Sequence, residues 1–213
     1  CRGSHGSRMG GRGVASPPDE YEKLGRALQK AGASGVPKTV VEVTKFLTVT
    51  GWRTGEALNL KWTDLDVLRR TAVLPETKTG RSLRPLSHVA CEIVGSMPRE
   101  GDLVFPATRG SGKLAGFPKT FARIRRLANI AADVTPHTLR HSFASLAGDM
   151  GYSEPTIGAL IGHKGNSITS RYVHSADAVL VKAADAVATE TMSLLNEGLV
   201  TSVELESTQG GSE

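Results

Sequence analysis

The sequence predicts an α+β domain, mainly α-helical, with one small antiparallel β-sheet, and three observations predict it. Apolar residues recur at helical spacing in separate segments, among them Tyr21, Leu24 and Leu28 and, much later, Phe121, Ile124, Leu127 and Ile130. One stretch, Asp64 to Ser87, instead breaks into short runs. Ala72-Val-Leu and Leu83-Arg-Pro-Leu flank Lys78-Thr-Gly80-Arg81, a hairpin with glycine in its turn. The 213 residues, 39% hydrophobic, suffice to bury the core of one ordinary domain or two small ones.

Composition narrows the classes of function. A formal net charge of +5 favours a polyanionic partner. Cys1 and Cys91 are the two cysteines, too few for a disulfide framework, which fits a reducing, cytoplasmic compartment. No apolar run approaches the roughly 20 residues of a membrane span, and no signal peptide is visible, so no membrane partner is expected.

Residues 1–15 are mostly Gly, Ser, Arg and His with almost nothing to bury, and read as vector-derived or disordered. Pro17, Pro18, Asp19 and Glu20 make a helix start that breaks between Gly32 and Pro37. Val40, Val41, Val43, Phe46, Leu47 and Val49 follow, and their β-branched content leaves helix and strand both open. A short helix is expected from Thr54 to Leu60. Arg53, at the junction of these two segments, is either a structural partner of Glu56 or a residue aimed into a cleft. Lys78, at the hairpin tip, taken alone reads as a solvated surface charge. Helices are expected from His88 to Met97 and from Phe117 to Ala132; on the latter, Lys119, Arg123, Arg125 and Arg126 are either a solvated basic face or contacts to phosphate. From Ala176 to Asn196 a helix is read on Val179, Leu180, Ala183, Val187 and Leu194, and Leu199 to Leu205 reads as a strand-like tail.

The stretch from Thr135 to His174 concentrates the chemistry: His137-Thr-Leu-Arg140-His141 at a helix start, then Leu160-Ile-Gly-His163, then Arg171-Tyr172. An alcohol attacks a phosphodiester only if it is aligned, the non-bridging charge is neutralised and the leaving oxygen gains a proton. Arginine gives paired donors to phosphate and stays protonated. Tyrosine, with an ordinary pKa of roughly 10, is a nucleophile that cations can activate. Of Tyr21, Tyr152 and Tyr172, only Tyr172 has a basic residue directly before it and histidines on both sides. His137 and His141 also have the spacing of a zinc pair, but Thr138 stands where a metalloprotease motif needs glutamate, and Arg140 would place a cation beside the metal.

These motifs together resemble the catalytic domain of the tyrosine recombinases, the phage integrase family. Thr50-Gly-Trp-Arg53-Thr-Gly-Glu56 resembles the first arginine box, Lys78 falls in the hairpin where the family keeps its lysine, and His137-Thr-Leu-Arg140-His141 resembles the second box. Leu160-Ile-Gly-His163 resembles the turn before the nucleophile, and Tyr172 follows His163 by the family's nine positions. The resemblance implies that Arg53 and Arg140 bind the non-bridging oxygens and that His137 and His163 hydrogen-bond to the phosphate or manage the tyrosine proton. Lys78 would protonate the departing 5′ oxygen, and Tyr172 would end as a 3′-phosphotyrosyl link, with no metal, ATP or other cofactor. Glu56 would orient Arg53, and His141 would cap or pack the helix.

The resemblance also implies double-stranded DNA as partner and a tetramer on DNA assembled through the C-terminal segment. Residues 16–197 would be the catalytic domain and 198–213 a tail. The amino-terminal DNA-clamping domain such recombinases carry is not among these residues, which reads as an excised catalytic domain. A type IB topoisomerase performs the same chemistry, and a non-cleaving DNA-binding regulator could keep the fold. The box spellings favour a recombinase, and the filled reactive positions argue against a regulator.

Overall fold

Helix α2 (Lys38–Thr50) is buried on nearly every side and forms the centre of the fold. In this computed structural model the described residues are 18–77, 80–162 and 173–209. The segment whose β-branched content left helix and strand open is therefore a helix, and the reason is local. Thr44, Thr48 and Thr50 each return their hydroxyl to the carbonyl four residues back, at 2.7, 2.8 and 2.7 Å. Threonine can thus be buried in a helix at no cost in unpaired polar groups. A helix apolar all round must be enclosed, and α2 is covered by the elements that follow.

Before it, α1 (Pro18–Ala31) buries Tyr21, Leu24, Ala27, Leu28 and Ala31. After it come α3 (Thr54–Leu58) and a turn of 3₁₀ helix at Trp62–Asp64. Strands β1 (Leu65–Asp66), β2 (Thr71–Thr77) and β3 (Gly80–Pro85) then form the small antiparallel sheet in the order β1-β2-β3. Ala72 pairs with Arg84, Val73 with Leu83 and Thr77 with Gly80, so the hairpin is the one expected around Lys78. α4 (His88–Gly95) is capped by Ser87, whose hydroxyl accepts from the Ala90 amide at 3.1 Å.

α5 (Phe117–Leu127) ends earlier than the expected Ala132 because the chain closes it there. Asn129 takes φ 52°, its amide donates to Arg126 O and the Ile130 amide to Arg125 O, both at 3.1 Å, which is the hydrogen-bond pattern of a Schellman stop. Leu127, expected on the apolar side, is 44% exposed, and Ala128 is buried instead. The expected helix ends at Leu60 and Met97 lie at Leu58 and Gly95.

α6 (Pro136–Asp149) and α7 (Glu154–Ile161) complete the frame, and α8 (Val173–Gln209) packs back along α1, α2 and the ends of α6 and α7. Its buried stripe is Val181, Ala184, Ala188, Thr191 and Leu195 together with Ala183 and Val187, whereas Val179 is 63% exposed. The strand-like reading of Leu199 to Leu205 is corrected: α8 runs unbroken to Gln209. A lone strand has no edge to pair with, whereas continuing a formed helix adds one backbone hydrogen bond per residue.

The core has two parts. Phe46, Trp52, Phe105, Phe117 and Leu139 belong to a large cluster around α2; Phe143, Ala147, Leu160, Ile161 and Val187 form a smaller one between α6, α7 and α8. α6 spans the seam, with Leu139 in one cluster and Phe143 in the other. Arg140 lies between them in sequence and is 4% exposed.

Candidate active site

The first arginine box is shaped by a helix stop. Gly51 ends α2 at φ 62°, in the left-handed region that favours glycine, and a Cβ there would come within 2.6 Å of the Phe143 ring. The turn drives Trp52 into the core, edge-on to Phe46 at 5.2 Å, and leaves Arg53 facing outward at the start of α3. Glu56 binds both ends of Arg53. Its Oε2 accepts from the Arg53 amide at 3.0 Å and its Oε1 from Arg53 Nη1 at 2.9 Å. The structural ion pair is thus real, yet the Arg53 side chain remains 46% exposed and so is available to a ligand as well.

Arg140 is held differently. Its Nη1 donates to the carbonyls of Gly51 at 2.8 Å and Ile161 at 2.5 Å, the C-terminal ends of α2 and α7. Helix C-termini carry partial negative charge, so two helices stabilise this buried cation, with no carboxylate hydrogen-bonded to it among the described residues. Burial, with Arg53 nearby, pushes its pKa down to about 10, which still leaves it protonated at neutral pH. Its Nη2 is buried and has no partner among the described residues.

His137 lies one turn before Arg140 on α6, exposed, with its ring edge-on to that of His141 at 4.5 Å. Desolvation, then His141, Arg140 and Arg53, push the His137 pKa below its ordinary value. His141 neither caps the helix nor packs in the core: it is exposed and its ring contact is His137. Among the described residues, no group of three His, Cys, Asp or Glu is placed to hold a metal ion.

Arg53, His137 and Arg140 thus come to one place. Lys78, His163 and Tyr172 lie outside the described residues, although their neighbours do not: Thr77 and Gly80 bracket Lys78, and Val173 opens α8 directly after Tyr172. Gly162, before His163, stops α7 at φ 69° and accepts from Arg53 Nη1 at 3.3 Å.

One residue of this cluster escaped the sequence reading. Arg84 on β3 is 1% exposed and donates Nη2 to the same Glu56 Oε1 at 2.8 Å and Nε to Ser82 Oγ at 3.0 Å. Burial, outweighing Glu56, lowers its pKa. The signal for it was the strand alternation, which turns Leu83 outward at 41% exposure and an arginine inward, an inversion that requires a buried acid. The α5 arginines are largely committed elsewhere: Arg123 donates to Ser34 O and Gly35 O, and Arg125 to Ala131 O and Ala132 O.

The profile of the phage integrase family matches residues 17–178, well over half of the chain. The chain belongs to that family. A tyrosine recombinase of Thermosipho africanus (strain TCF52B) is 33% identical over 139 residues, covering 62% of this chain and 48% of that protein. The tyrosine recombinase XerD of Bifidobacterium longum (strain NCC 2705) is 25% identical over 193 residues, covering 80% of this chain and 63% of its own length. The chain therefore spans between about half and two thirds of these relatives. Among solved structures, XerA recombinase superposes with a TM-score of 0.60 at 22% identity, over 81% of this chain and 64% of that one. The catalytic core of lambda integrase gives 0.56 at 24% identity, over 70% and 95%. The integrase-family fold is common to all of them.

Proposed function

We propose that this chain carries out site-specific DNA recombination, cleaving and rejoining strands of double-stranded DNA through a 3′-phosphotyrosyl intermediate. The observation that carries the reading is Arg140, a buried guanidinium held by helix carbonyls, with one nitrogen unpartnered among the described residues. A buried donor left open is costly unless a ligand completes it. Beside it, Arg53 offers a second guanidinium on a half-exposed side chain, and Glu56 is the one acid that pairs with both Arg53 and Arg84 among the described residues. The cluster is therefore net positive and shaped for an anion with several oxygens.

In this reading Arg53 and Arg140 bind the non-bridging oxygens of the scissile phosphate, and His137 and His163 hydrogen-bond to it or take up the proton that the Tyr172 hydroxyl loses. Lys78 protonates the leaving 5′ oxygen, and Tyr172 attacks phosphorus. The P–O5′ bond breaks as the Tyr172 oxygen–phosphorus bond forms, and the free 5′ hydroxyl of another strand reverses the step. Residues 16–197 form the catalytic domain. One structural neighbour is a lambda integrase tetramer bound to a Holliday junction, which supports assembly of this chain as a tetramer on DNA; the segment after Asn196 is the part of the chain assigned here to that assembly.

The test is a randomised pool of nicked duplexes incubated with the protein in EDTA, followed by denaturing electrophoresis and sequencing of the shifted DNA. A covalent band enriched in one sequence is expected. Adducts spread evenly over all sequences would favour topoisomerase-like action, and no adduct at all would remove the reading.

A further inference from the structure

We propose that Arg84 is a third arginine of this site, a positioning residue that holds Glu56 and the Gly162 turn so that Arg53 keeps its charge free for the scissile phosphate. This deepens the strand-cleavage reading and rests on it. Both described partners of the Arg53 side chain, Glu56 and the Gly162 carbonyl, lean on Arg84. Arg84 and Arg53 share a single oxygen, Glu56 Oε1, at 2.8 and 2.9 Å. The guanidinium of Arg84 also lies flat against Gly162: a Cβ at that position would fall 1.7 to 2.0 Å from its Cζ and both terminal nitrogens. Its Cζ also lies over the Trp52 ring, 5.7 Å from the centroid. One arginine therefore joins β3, the start of α3 and the turn that leads to His163.

Two physical arguments make this more than packing. A buried ion pair is often no more stabilising than a hydrophobic pair of the same volume, so stability alone gives little reason to place an arginine here. The charge balance gives one. With Arg84 present, the Glu56 carboxylate is divided between two guanidiniums, and Arg53 is left with positive charge for an anion. Without Arg84, Glu56 would neutralise Arg53 in an ordinary ion pair, and phosphate would have to compete with it. Arg84 Nη1, buried and without a partner among the described residues, leaves the cluster short of acceptors, as an anion site must be.

The test uses the duplex selected from the nicked pool, in two forms: with a normal scissile phosphate and with a methylphosphonate, in which a methyl replaces one non-bridging oxygen and the linkage carries no charge. Adduct rates are measured for the unsubstituted protein, Arg84→Met, Arg53→Ala and the double variant, with melting curves alongside. Arg84→Met should slow cleavage of the phosphate by about 10²-fold, the scale of a misplaced reacting group. Most of that loss should vanish on the methylphosphonate and in the Arg53→Ala background, because the two residues act as a unit. The same fold-loss on both linkages and in both backgrounds would overturn the inference. Should Arg84→Met fail to fold, Arg84→Gln, which gives up the charge but can still donate a hydrogen bond to Glu56, carries the same cycle. An adduct whose rate ignores Arg84 overturns this role alone; no adduct from the unsubstituted protein removes the strand-cleavage reading and this inference with it.

Discussion

Glu56 is the carboxylate that Arg53 and Arg84 share, one oxygen accepting from both at 2.9 and 2.8 Å. Glu56→Gln keeps the shape but gives up the charge that holds two guanidiniums. It should slow adduct formation by roughly 10²-fold while leaving the DNA concentration for half-binding nearly unchanged; a fall in binding with normal cleavage would contradict this. His137 gives a pH signature. Its folded pKa is lowered, so the native state binds the proton less readily than the unfolded chain, and acidification below the ordinary histidine pKa works against the fold. In a nuclear magnetic resonance titration His137 should titrate below a free histidine, and adding inorganic phosphate should raise its midpoint as anionic charge meets Arg53 and Arg140. A midpoint at or above that of free histidine in the phosphate-free protein would show that the arginines do not act on it. At this scale the sequence was partly legible. Arg53, Arg140 and His137 lie in short local motifs, whereas Arg84 is tied to an acid 28 residues away and only the fold brings them together.

Elements were legible where a pattern and its stop signals were both local. α1 and α6 begin at prolines, and the hairpin pairs as its glycine turn predicts. α2 was ambiguous because β-branched residues suit a strand as well; what decides is burial on all sides and the return of each threonine hydroxyl to its own helix, neither visible in a linear pattern. The Gly51 stop aims this helix at Arg140, which makes a direct test. Gly51→Ala forces a left-handed alanine and a clash with Phe143, and should cost roughly 2–4 kcal/mol in chemical denaturation; a loss of a few tenths would contradict the account. α8 is fixed to the body by Asp185, which accepts from Arg70 Nη1 at 2.7 and 2.8 Å and from the His88 amide at 2.8 Å. Asp185→Ala removes a helix cap and an ion pair together and should destabilise by about 1–2 kcal/mol, read from the same denaturation curves. An unchanged midpoint would mean that the α1 contacts hold α8 unaided.

For the whole molecule, the site sits where two core clusters meet, and α8 closes that seam directly downstream of Tyr172. The last described buried side chain of α8 is Leu195, so ending the chain after Asn196 should leave the melting temperature unchanged within about 2 °C while lowering tetramer assembly on DNA, measured by light scattering or native electrophoresis. Equal assembly with and without the segment would make it a passive end. Among the described residues, no helix is long and apolar enough to cross a membrane. The central claim is that one tyrosine becomes covalently joined to DNA. The most direct measurement is to digest the protein–DNA adduct and locate the nucleotide-bearing peptide by mass spectrometry, for the unsubstituted protein and for Tyr172→Phe. A 3′-phosphotyrosyl group is expected on Tyr172, with no adduct from the variant, whose folding and DNA affinity stay intact. A modification on Tyr152, or an adduct that persists in Tyr172→Phe, would contradict it.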